Sequence, residues 1–148
     1  MRLAFTGSPE IAAPVAQVWD RLMDAEFVAS CAPGVESVEA LDPTHFKVRA
    51  ALGVGSVKLR FDLQVELSDL HPPKRARMSV RGKAPGSAMH AQTAVELEPL
   101  EADRTRLTWT AASDVHGTIA SVGARLLKGT AKKLTEQFWK TFAKRAGR

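Results

Sequence analysis

Four histidines, one cysteine and a short acidic cluster are the residues of this sequence that could carry bond-making chemistry. His45, His71, His90 and His116 are scattered, with none of the spacing that holds a metal, such as His-Glu-x-x-His. His45 falls in the polar phase of an alternating run, His71 precedes Pro72-Pro73, and His90 alternates with the apolar Met89 and Ala91, so these three are expected outside any core. His116 is the one histidine near a plausible pocket mouth. Cys31 has no obvious basic neighbour and reads as an inert, partly buried side chain. Asp20, Asp24 and Glu26 form an acidic patch on early helices rather than a pair of catalytic carboxylates. Gly53-Val54-Gly55 reads as a hairpin turn, not a phosphate-binding loop. The expectation is therefore no catalytic set, no metal and no cofactor, and binding rather than catalysis.

The elements that would position a binding site follow from periodicity. Leu3, Phe5 and Gly7 alternate with polar or small residues and suggest a first strand. Pro14 suits a helix start, and Val15, Val18, Trp19 and Leu22 follow at helical spacing. A second short helix carries Phe27 and Val28 and stops at Cys31-Ala32-Pro33-Gly34. The period then changes to two. Strands are expected from Val35 to Asp42-Pro43, around Phe46 to Leu52, and from Val57 to Leu67, where six apolar residues alternate with Lys58, Arg60, Asp62, Gln64 and Glu66. Three more strands carry Ala76 to Val80, Met89 to Leu97 and Leu107 to Val115, with a turn over Gly82 to Gly86. After Gly117 the helical period returns, and Ala120, Gly123, Leu127, Ala131, Leu134, Phe138 and Phe142 lie along one side of a single long helix capped by Thr118. Seven strands grouped between helices predict an α+β fold, a curved antiparallel sheet wrapped around the long C-terminal helix with two short helices after strand one. The 148 residues suit a single domain over 1–148.

A sheet with one apolar face must cover it, and the final helix is the only large partner. The inward positions Ala50, Ala76, Ala91, Thr93 and Ala111 are small, as are Ala120, Gly123 and Ala131 on the helix. Small facing small does not fill a volume, so either a cavity exists or larger neighbours lean in. The candidate lining is Phe46, Phe61, Met78, Met89, Trp109, Gly123, Leu126 and Leu127.

Hydrophobic residues make up 45% and charged residues 25%, which excludes global disorder. A single cysteine excludes an internal disulfide framework. No apolar run approaches the ~18 residues of a membrane span, and the start of the chain lacks the apolar core of a secretory signal, so a cytoplasmic protein is expected. The net charge of +5 is uneven: from Arg125 onward the chain carries +7, and the remaining body −2. Lys128, Lys132, Lys133, Lys140, Lys144 and Arg145, with Trp139 beside them, form a candidate docking stripe for an anionic membrane surface or an acidic partner protein. Nucleic acid is not expected, because no recognition-helix pair, zinc ligands or aromatic strand motif accompanies the stripe.

Four segments together resemble a known family over essentially the whole chain. They are Phe5-Thr6-Gly7, Val18-Trp19-Asp20-Arg21-Leu22-Met23-Asp24, Cys31-Ala32-Pro33-Gly34 and Val115-His116-Gly117. The pattern resembles the SRPBCC (START-like) helix-grip superfamily and, within it, the carbon monoxide dehydrogenase CoxG family. The resemblance implies a helix-grip fold with an elongated apolar pocket. It implies an accessory protein of a molybdenum hydroxylase such as carbon monoxide dehydrogenase, linked to membrane recruitment and to binding a quinone or related lipid. It places the protein in the cytoplasm, peripheral at the cytoplasmic membrane face. Trp109 would offer a flat face to a quinone ring, and Met78 and Met89 an adaptable surface to a flexible chain. Family members often carry a tail beyond the long helix; here membrane contact is expected from the helix or the loops. The alternative within the same fold is a cyclase or hydrolase acting on an apolar substrate.

Overall fold

The computed structural model describes residues 1–147, and Arg148 of the basic stripe lies outside them. β1 (Arg2–Gly7) and a two-residue β2 (Glu10–Ile11) precede α1 (Val15–Leu22) and α2 (Ala25–Cys31). Six strands follow: β3 (Val35–Asp42), β4 (His45–Val54), β5 (Val57–His71), β6 (Arg75–Ala84), β7 (Ser87–Glu101) and β8 (Arg104–Gly117). A 3-10 turn (Thr118–Val122) leads to α3 (Ala124–Ala146). Neighbouring strands are antiparallel in the order β1-β8-β7-β6-β5-β4-β3, with β2 added to β8 through Glu10 opposite Arg106. The α+β architecture expected from the periodicity is the one observed.

Local chemistry explains the elements. In β5 every apolar residue from Val57 to Leu67 is buried or half-buried, while the interleaved polar residues are exposed. Asp24 caps α2 by accepting a hydrogen bond from the Phe27 amide at 3.1 Å. Gln17 of α1 donates to the Ala146 carbonyl at 2.9 Å, tying the first helix to the end of α3. The outer face of the sheet is laced by exposed ion pairs such as Arg60–Glu36 and Arg49–Asp62.

Three expectations need correction. The long helix is not continuous from Thr118. Gly123 has φ +101°, a conformation that a side chain disfavours, and it separates the 3-10 turn from α3. Thr118 therefore caps nothing; the α3 ladder starts with the Leu127 amide donating to the Gly123 carbonyl at 3.0 Å. Gly82 is not part of a turn but lies inside β6. A Cβ there would stand 2.6 Å from Leu63 Cδ2 and 2.7 Å from Met89 Cγ, because both neighbouring strands fold side chains across it. The reversal falls at Pro85–Gly86 instead. Likewise Gly53 and Val54 belong to β4, and Gly55, at φ +60°, makes the turn.

The core is divided. At one end Trp19, Cys31, Leu97, Leu107, Trp109, Trp139 and Phe142 pack together under α1 and α2. At the other end Leu3, Val54, Phe61, Val115, Ile119 and Leu127 pack around the start of α3. Along the helix, α3 approaches β1, β2 and β4, strands from opposite parts of the sheet, with no comparable approach to β5, β6 or β7. The sheet therefore curls around the helix and stands off from it in the middle.

Candidate functional site

The space between the two packed ends is built by cross-strand rows on the concave face. One row runs Phe46, Val65, Val80, Ala91 and Ser113, and the next runs Leu67, Met78, Thr93, Ala111 and Phe5. Val65, Leu67, Met78, Val80, Ala91, Thr93, Ala111 and Ser113 are all only half-buried, although they point inward from the centre of a large sheet. Leu134 of α3 is half-buried too. Side chains at the middle of a close-packed core would be covered. These keep solvent contact because the helix does not reach them. No charged side chain occupies an inward position on β4 to β8, so the space is an apolar one.

The eight predicted lining residues divide into three groups. Phe46, Met78 and Met89 border the space. Phe61 and Leu127 are 1% and 4% exposed and form the packed wall at one end. Trp109, 4% exposed, belongs to the opposite wall and is corrected as a ring platform: its face is covered by Trp139, stacked at 5.5 Å between centroids and 14° between planes. Gly123 and Leu126 are also corrected. Gly123 is exposed at the helix break, and Leu126 lies 45% exposed on the outside, over the β4–β5 turn at Gly55. The mid-sheet aliphatics Val65, Leu67 and Val80, and Ser113, were not among the sequence candidates. Their signal was the inward phase of their strands, which also marked ordinary core.

The docking stripe survives on one side of α3 only. Lys128, Lys132, Lys133, Lys140 and Lys144 are exposed, with Lys132 at 4.0 Å from Glu136. Trp139 is not a surface residue; it is buried between Trp109, Phe138 and Phe142. Phe142 is fully buried as well, so the helix end does not protrude. Arg145 folds back onto α2, donating to Ser30 Oγ at 2.7 Å and lying over the Phe27 ring, and so is a structural contact rather than a free docking cation. Its Nη1 also stands 3.8 Å from the buried Cys31 Sγ, a basic neighbour that sequence proximity could not show.

None of the histidines reaches the concave face. His45 is exposed and bonded to Asp42 at 2.9 Å. That hydrogen bond, with one from the Thr44 amide, draws the Asp42 carboxyl down to about 2, and the same contact pushes the His45 imidazole up. His71 meets Asp69, and His90 meets Ser79 on the outer face at 3.2 Å. His116 is exposed at an outward position opposite Ala88, not at a pocket mouth. Among the described residues no group of three His, Cys, Asp or Glu side chains could hold a metal ion. A groove of about 670 Å³ on the outside of the sheet is walled mostly by outward residues such as Ala4, Thr6, Gln92 and Thr110, with no residue of α3.

The fold recurs among solved structures. A conserved protein from Geobacillus kaustophilus is 31% identical with a TM-score of 0.88, over 97% of this chain and 95% of that one. The Zhui aromatase/cyclase from Streptomyces sp. R1128 is 19% identical with a TM-score of 0.73, over 100% and 95%. A START superfamily protein from Mycobacterium smegmatis is 14% identical with a TM-score of 0.72, over 97% and 96%. The last two are likenesses of fold, and they identify the sheet gripping α3 as the helix-grip arrangement. No curated protein matches the chain. The family description of the carbon monoxide dehydrogenase CoxG protein matches residues 7–147, nearly the whole of the gripped helix and its sheet, and the chain belongs to that family.

Proposed function

We propose that this chain is a non-enzymatic accessory protein. It holds an apolar ligand, a quinone or related lipid, between sheet and α3, and assists membrane recruitment, assembly or electron transfer of a molybdenum hydroxylase such as carbon monoxide dehydrogenase. The observation that carries this proposal is the divided core: apolar side chains at the centre of the sheet remain half-exposed between two closed ends. Family membership supports the enzyme partner. Leaving this much apolar surface wet is unfavourable by roughly 25 cal/mol per Å², and an apolar ligand removes that cost. The test is organic extraction of protein purified from its native host, followed by mass spectrometry. A stoichiometric isoprenoid quinone or lipid is expected. An empty extract, repeated after incubation with native membranes, overturns the carrier role.

The exposed lysines of α3 support contact with an anionic surface, since each contributes about 1 kcal/mol near acidic lipid. Reversing Lys132, Lys133 and Lys140 to Glu should weaken binding to vesicles containing phosphatidylglycerol on the order of a hundredfold. Vesicle co-sedimentation at several salt concentrations checks this, and unchanged binding shifts the stripe's role to an acidic face of the enzyme.

A second function, a cyclase or hydrolase on an apolar substrate, is favoured by the name of one neighbour of the same fold. Its best acid–base candidate from the sequence, His116, does not face the space. Turnover of a polyketide-like substrate would establish it.

A further inference from the structure

Four hydroxyl side chains point inward from β4 to β8, and two of them are already used. Ser87 Oγ accepts from the Ile119 amide at 3.0 Å, fixing the 3-10 turn to β7. Thr105 Oγ1 donates to the Ala13 carbonyl at 2.9 Å, fixing the loop before α1 to β8. The other two, Thr93 on β7 and Ser113 on β8, make no side-chain hydrogen bond to any described residue. They are diagonal neighbours: Thr93 pairs with Ala111, and Ser113 with Ala91. Both are half-buried, so their oxygens open into the apolar space rather than being sealed in a core. Each is surrounded by small or apolar inward residues, Ala91, Ala111, Met78 and Val80.

Resting on the carrier role proposed above, we infer that Thr93 and Ser113 form a head-group site for a neutral ligand oxygen, a carbonyl or hydroxyl on a ring or chain that otherwise fits the apolar space. A hydroxyl can rotate to donate to such an oxygen, and an apolar pocket with a few convergent polar groups orients its ligand through them. A carboxylate or phosphate head does not suit the site. No inward cation on β4 to β8 could pair with it, and an unpaired charge is costly to bury. A pure hydrocarbon does not suit it either, because entry would strip both hydroxyls of water without replacing it.

Three probes sharing one ring system separate these cases: 2-methyl-1,4-naphthoquinone, 2-methylnaphthalene and 2-naphthoate. Calorimetric titration of the full chain should rank the quinone first. Thr93→Val with Ser113→Ala keeps side-chain shape and strand propensity. It should weaken the quinone about tenfold and leave 2-methylnaphthalene unchanged or tighter, with the same thermal midpoint. Unchanged quinone affinity in the double variant, or naphthoate binding as tightly as the quinone, overturns the head-group site while leaving the carrier role standing. Failure of the wild-type chain to bind any of the three removes the apolar pocket itself, and this inference with it.

Discussion

Replacing Trp139 with alanine should lower the unfolding free energy by about 3–5 kcal/mol, the usual cost of emptying a large aromatic site. Trp139 is 8% exposed, lies parallel to Trp109 at 5.5 Å, and makes edge contacts with Phe138 at 4.9 Å and Phe142 at 5.7 Å. Phe142 in turn meets Phe27 of α2 edge-on at 5.7 Å. This aromatic chain joins the sheet, α2 and the second half of α3, the part of the helix that the open middle leaves without other support. Denaturation in guanidinium chloride followed by circular dichroism measures the loss. A Trp109→Ala change should cost a similar amount. The double variant should cost less than the sum, because the second truncation removes a contact already lost. If Trp139 were a membrane-facing side chain, its removal would change stability by no more than about 0.5 kcal/mol and would act on vesicle binding instead.

The position of Trp139 also marks the limit of what periodicity reveals. Trp139 and Leu126 occupy opposite flanks of the helical stripe, both large and apolar. The docking of α1 and α2 covers one, while only a hairpin turn touches the other, and that is a tertiary fact with no local signature. The sheet was legible because alternation is a local constraint: from Val57 to Leu67 a slip of one residue would place every apolar side chain in water. The break at Gly123 was not, since Ala120, Gly123 and Leu127 keep helical spacing across it and nothing in the letters announces a positive φ. β2 escaped because two residues carry no period. The small inward residues did signal a possible space. Whether it stays open depends on how far α3 stands from β5 to β7, set by packing at its two ends.

Substituting Ala91 with phenylalanine tests that space directly, because filled and open interiors respond with opposite signs. Ala91 is half-buried at the centre of the concave face, between Val80 and Ser113 across the ladder. In a close-packed core the added ring has nowhere to go, and overpacking costs about 1–3 kcal/mol. In the open middle the ring lies over Val80 and Met78, buries its own apolar surface and theirs, and suits a strand better than alanine. The thermal midpoint should therefore hold or rise. The same ring occupies the volume a ligand needs, so affinity for 2-methyl-1,4-naphthoquinone should fall at least tenfold, roughly 1.4 kcal/mol. Thermal unfolding and calorimetric titration on one preparation read both quantities. A lowered midpoint with little change in binding would mean that α3 closes on the sheet in solution and that the chain acts through its surface alone. A stable variant that no longer binds would place the ligand against Ala91, one ladder step from the Ser113 hydroxyl that would face its head group.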